Sequence, residues 1–100
     1  MTTKKTKRIP AIICGGQTGR AVIYGYVDRL PDPDESVRIH NARMVLYWPP
    51  ECGGLLGLAA GGPKDGLRLT RAVGEVTDTC RQGVAVTVTA AAALDEWPHV

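Results

Sequence analysis

One stretch constrains this chain more than any other: Asn41-Ala42-Arg43-Met44-Val45-Leu46-Tyr47-Trp48, halted by Pro49-Pro50. Paired prolines supply no N–H donors, so an extended segment must end there. Side chains alternate along a strand. Ala42, Met44, Leu46 and Trp48 then form an apolar face, which reads as the core face. Asn41, Arg43, Val45 and Tyr47 form the other. That second face sets an amide, a guanidinium and a phenol side by side, a set suited to an interface or to an anionic ligand.

Turn chemistry divides the rest into short β segments. Residues 9–14 read as a first strand with Pro10 near its start, and Gly15-Gly16-Gln17-Thr18-Gly19 as a turn. Residues 20–30 alternate with both faces partly apolar, as in a central strand. Gly25 within it signals a bulge or a close neighbour. After Pro31-Asp32-Pro33-Asp34, Val37 and Ile39 point inward. The apolar face changes near 40–42, by a bulge or a tight turn; a turn is favoured, with 36–40 and 43–47 as separate strands. Residues 55–60 read as a short helix and 61–66 as a loop. A strand is expected around 72–77, a turn at Arg81-Gln82-Gly83, and a strand over 84–88. Thr89 reads as the N-cap of a last helix in which Leu94 and Trp97 share a face, with Pro98 as its stop. The predicted fold is α+β: a small, mostly antiparallel sheet of five or six strands with one short helix and a C-terminal helix.

One hundred residues make one domain with a thin core. Phe is absent and Gly numbers 12, so little volume is filled per residue. Neighbouring copies would add buried area, and a homo-oligomer is expected. The net charge of +2 hides an asymmetry: Lys4, Lys5, Lys7 and Arg8 crowd the first eight residues. Residues 1–8 read as a basic disordered tail and 9–98 as the domain, which is mildly acidic. Four charges without interleaved aromatics argue against a nucleic-acid partner. Cys14, Cys52 and Cys80 are odd in number and scattered, which argues for free thiols, no zinc site and a cytoplasmic setting. No apolar run reaches the roughly 18 residues of a membrane span, and no signal peptide is expected.

Catalytic signatures are missing from the sequence. His40 has no nucleophile or orienting acid beside it, and Asp95-Glu96 are neighbours that do not share a helix face. The binding candidates are Arg43 and Arg20 for phosphate, Tyr47 for stacking and Asn41 for hydrogen bonding. Gly15, Gly16 and Thr18 belong to a loop whose backbone N–H groups could face an anion. That loop lacks the following helix of Rossmann-like sites, and no Walker motif or G-x-G-x-x-G is present.

Residues 37–48 with their Asn41-Ala42-Arg43 and Tyr47-Trp48, then 54–59, Val73-Gly74-Glu75-Val76 and 84–94, resemble a small family of phage-encoded domains of unknown function. Gly74 stands where that pattern has proline, and Thr87-Val88-Thr89 only approximates its ending. Small phage proteins often counter host defence, some as sponges that hold a nucleotide-derived signal without cleaving it. By that class analogy the resemblance implies a non-enzymatic, homo-oligomeric protein of the host cytoplasm, with no cofactor, sequestering a small anionic nucleotide-like ligand. The rival readings are a structural or adaptor protein using the Arg43/Tyr47 face, and a nucleotide-processing enzyme using His40.

Overall fold

The computed structural model describes residues 8–15 and 21–100. In order they form β1 (Ile9–Gly15), β2 (Ala21–Val27), β3 (Ser36–Tyr47), a 3₁₀ turn (Pro50–Cys52), α1 (Gly54–Gly61), β4 (Arg68–Leu69), β5 (Glu75–Ala85) and α2 (Val88–Asp95). The fold is α+β, with five strands in the order β2-β1-β5-β3-β4, all paired antiparallel. β2 also pairs with β3, so four strands close on themselves and β4 hangs from β3 outside the circuit.

Closure gives two apolar layers. Ala11, Ile13, Ile23, Val27, Val37, Ile39, Ala42 and Cys80 fill the inside. On the outside, Ile12, Val22, Tyr24 and Val45 pack under Leu58 and Ala59 of α1 and Ala90, Ala91 and Leu94 of α2. β1 and β2 are therefore buried on both faces, which is why their sequences are apolar almost throughout. Leu58, Leu69 and Leu94 are fully buried, each contributing about 1.5–3 kcal/mol of transfer free energy.

The change of face near residue 41 is a bulge, and β3 is one strand where two were expected. Tyr24 pairs with Arg43 and Tyr26 with His40, so three steps on β3 oppose two on β2. Asn41 absorbs the extra residue with φ 52°, a left-handed conformation that Asn tolerates better than most side chains. Opposite it, a Cβ on Gly25 would lie 2.4 Å from Ile39 Cγ2 and 2.8 Å from the His40 carbonyl oxygen. The glycine is there because the bulged strand leaves it no room.

The expected core face of this segment is reversed over residues 43–46, whereas Trp48 packs against the core as expected and Tyr47 is exposed. Arg43 and Val45 are buried beneath the helices, whereas Met44 and Leu46 are 40% and 49% exposed. Counting apolar residues misleads here because a buried guanidinium with enough acceptors takes the place of an aliphatic side chain.

β5 is likewise continuous through Arg81-Gln82-Gly83, where a turn was expected. Cys14 pairs with Gln82 but Gly15 with Cys80, so the polar residues make a second bulge at Arg81. The first half of β5 pairs with β3 and the second half with β1. Strand ends at Ala85 rather than 88, and the cap of α2 is Thr87, two residues before the expected Thr89. Thr87 Oγ1 accepts the Ala90 N–H at 3.1 Å, a contact worth about 1 kcal/mol. In α1, a Cβ on Gly57 would fall 1.8 Å from the Cys52 carbonyl oxygen, so the glycine lets the helix sit on the 3₁₀ turn.

Candidate binding site

Tyr24 and Tyr26 are two apart on β2 and share its outer face, beneath the C-terminal end of α2. The Tyr24 hydroxyl donates to Asp95 Oδ1 at 2.7 Å and the Tyr26 hydroxyl to Asp95 Oδ2 at 2.5 Å. Both carboxylate oxygens thus accept a phenol, and the rings meet edge to face with centroids 6.0 Å apart. Burial first, then the hydrogen bond to Asp95, raises the Tyr26 pKa. Tyr24 is raised much further, by burial and by its bonds to Tyr26 and Asp95.

Arg43, the cross-strand partner of Tyr24, reaches the same end of α2. Its Nε donates to the Thr70 carbonyl at 2.8 Å, and its two terminal nitrogens donate to Leu94 O at 2.6 Å and Trp97 O at 2.7 Å. The side chain is 5% exposed. Burial lowers its pKa, opposed by the Asp95 carboxylate. A cation at a helix C-terminus meets the negative end of the macrodipole as well as orphan carbonyls. Arg43 therefore ties α2 and the 70–74 segment to β3. Three of its five N–H groups donate to backbone, and the residue also lines a cavity.

That cavity has a volume of about 390 Å³ and is lined by Arg8, Tyr26, Asn41, Arg43, Ala72 and Asp95. The bulge places Asn41 in its wall. Arg8 stands at its margin, with Nε 3.7 Å from Asp28 Oδ1 and half its side chain in solvent. Two cationic groups, an amide, a phenol and a carboxylate converge on one concavity, which lies in the size range of small-molecule sites.

No family model, curated protein or solved structure matches this chain.

The candidates named from sequence are divided by the fold. Asn41 and Arg43 meet in the cavity. Tyr47 does not join them: the β3–β4 register shifts between Val45 and Tyr47, and Tyr47 lines a separate hollow of about 380 Å³ with Leu46 and Arg68. Gly15 is buried, pairs with Ala21 and Cys80, and lies beside the Asp78 carboxylate. Pro10, not Gly15, is the partner of Tyr26, so Gly15 is five residues, or roughly 17 Å, from the cavity along β1. Gly16, Thr18 and Arg20 lie outside the described residues. Tyr26, Asp95 and Arg8 complete the set. The i, i+2 spacing of Tyr24 and Tyr26 was the available signal for the first, while nothing local linked them to Asp95.

His40 is half-buried, with Nδ1 3.6 Å from Glu75 Oε1, and Glu75 also pairs with Arg38 at 2.9 Å. Among the described residues, no three His, Cys, Asp or Glu side chains are grouped to hold a metal ion, and no helix is long and apolar enough to cross a membrane. The thiols are free, and burial raises the pKa of Cys14 and Cys80.

Proposed function

We propose that the chain is a non-enzymatic binding protein that holds a small anionic, nucleotide-like ligand in the Arg8–Tyr26–Asn41–Arg43–Asp95 cavity. The supporting observation is that the cavity's polar groups are held in place by the chain itself. Arg43 is fixed by three carbonyls, and Asp95 and Tyr26 by each other. Such preorganisation favours affinity because little is left to order on binding. Both Asp95 oxygens accept tyrosine protons, which suits positioning better than proton abstraction. In this reading Tyr26 takes the role first assigned to Tyr47, and Arg8 supplies the freer cation. Sequestration as a phage sponge, in the host cytoplasm, is the biological form of the proposal.

A thermal-shift panel of cyclic and linear nucleotides and ADP-ribose derivatives tests it, since a ligand that binds only the folded form raises Tm. Ala72→Trp, at an exposed cavity position, should abolish the shift without lowering the Tm of the free protein. A flat panel, or a shift unaffected by Ala72→Trp, would reject this site.

One observation favours the adaptor reading as a second function. Met44, Leu46 and Tyr47 are exposed toward the end of β3, and Leu46 and Tyr47 line a hollow with Arg68. The same patch supports the expected homo-oligomer, and Leu46→Glu with a light-scattering mass decides between them. A mass that falls to the monomer assigns the patch to self-association. A monomeric wild type leaves it for another protein.

A further inference from the structure

A second concavity adjoins the first at Tyr26 and Asp95. It has a volume of about 270 Å³ and is lined by Pro10, Tyr26, Val88, Ala91, Ala92 and Asp95. Alone, the second is smaller than the roughly 300 Å³ at which small-molecule clefts begin. Its chemistry differs from the first. Apart from the shared pair, it offers a proline ring, two alanine methyls and Val88, and carries no charge. Val88 is 83% exposed, an apolar β-branched residue at the start of α2 that contributes little to the core. Small side chains let a flat group come close to the helix.

We infer that the ligand is a phosphorylated nucleoside lying across the Tyr26–Asp95 hydrogen bond, its ring on the Pro10/Ala91/Ala92 side and its phosphate toward Arg8 and Arg43. This rests on the binding function proposed above and adds the ligand's class and direction. Three parts follow one another along the cleft: an apolar half beside an aromatic ring, a carboxylate, and a pair of guanidinium groups. A nucleoside phosphate presents the matching series of flat ring, hydroxylated sugar and anion. The Tyr26 ring is held by its bond to Asp95 and by the Tyr24 edge, so it is oriented before a base arrives. Stacking between a base and an aromatic side chain adds affinity whatever the base, because every base has a π-face. Asp95 has about four lone-pair sites, of which the tyrosines occupy two, leaving acceptors for sugar hydroxyls. The two Arg43 N–H groups not bonded to backbone and the half-exposed guanidinium of Arg8 meet the phosphate.

Calorimetric titration of the full chain with the four common nucleoside 5′-monophosphates and with ribose 5-phosphate tests this. At least one monophosphate should bind tenfold or more tightly than ribose 5-phosphate. Val88→Asp and Ala92→Trp, both at exposed positions of α2, should each reduce that ratio to about one while leaving ribose 5-phosphate binding unchanged. Two variants guard against one of them misfolding. Equal affinities for the monophosphates and ribose 5-phosphate in the wild type would overturn the ring half and keep the anion site. So would variants that weaken both equally. No binding of any of the five would overturn this inference; a thermal shift with another member of the nucleotide panel would then keep the function on which it rests, and a flat panel would overturn that too.

Discussion

Replacing Arg43 by methionine isolates what holds α2 to the sheet. The substitution keeps much of the aliphatic length and removes three donated hydrogen bonds, to Thr70, Leu94 and Trp97. Bonds from a charged donor are worth about 1.5–3 kcal/mol each when lost. The bond to Leu94 is buried and should count in full. The other two are partly buried, so water recovers part of their value. Methionine also removes the desolvation penalty of a buried charge, which offsets some of the loss. The expected net destabilisation is about 3 kcal/mol, a large share of the roughly 5–15 kcal/mol that holds a domain folded. Lysine should recover less than half, because one ammonium cannot serve three divergent carbonyls. Urea unfolding followed by far-UV circular dichroism measures this. With m at about 1–2 kcal/mol/M, the midpoint should fall by about 1.5–3 M. A loss below about 1 kcal/mol at unchanged m would refute the clamp and return Arg43 to a purely ligand-facing role.

Three further outcomes follow from the geometry. Gly57→Ala raises helix propensity by about 1 kcal/mol yet should destabilise by about 2–4 kcal/mol, because its Cβ meets the Cys52 carbonyl; Tm by calorimetry gives the sign. Asn41→Ala should cost about 1 kcal/mol and Asn41→Gly should be near neutral or stabilising, since φ 52° strains a Cβ-bearing residue without an Asn side chain, as equilibrium unfolding would register. Tyr24 and Tyr26 have raised folded pKa values, so the fold favours their neutral forms. Their contribution is complete below the unfolded tyrosine value of about 10 and is lost as pH rises above it. Tyr26→Phe should therefore flatten the alkaline fall in stability, and an unchanged slope between about pH 9 and 11 would remove Tyr26 from that transition.

The sequence carried the elements better than their joints. Alternation, β-branching and paired prolines located β1, β2, the limits of β3 and the final helix, because those signals are local. A bulge near Asn41 was one of two open readings and the turn was preferred, while the bulge at Arg81 was not legible at all. Polar residues between apolar runs look alike whether the chain reverses or continues with one extra residue, and the partner strand decides. Gly25 was a local trace of that partner, and it did point to a close neighbour. The site divided in the same way. Asn41 and Arg43 were found from their shared strand face. The burial of Arg43 was missed because its acceptors are carbonyls contributed by residues 70, 94 and 97. Tyr47 was grouped with Arg43 by spacing, and the register shift beside β4 separates them.

The closed circuit of strands has a consequence for how the molecule is made. Ala11 finds its β5 partner at Ala85, so the first strand leaves the ribosome long before its second neighbour exists. At roughly 5–20 residues per second that interval is on the order of seconds. Through it, the nascent hairpin shows an apolar margin to whatever is close by, including other copies emerging from the same message.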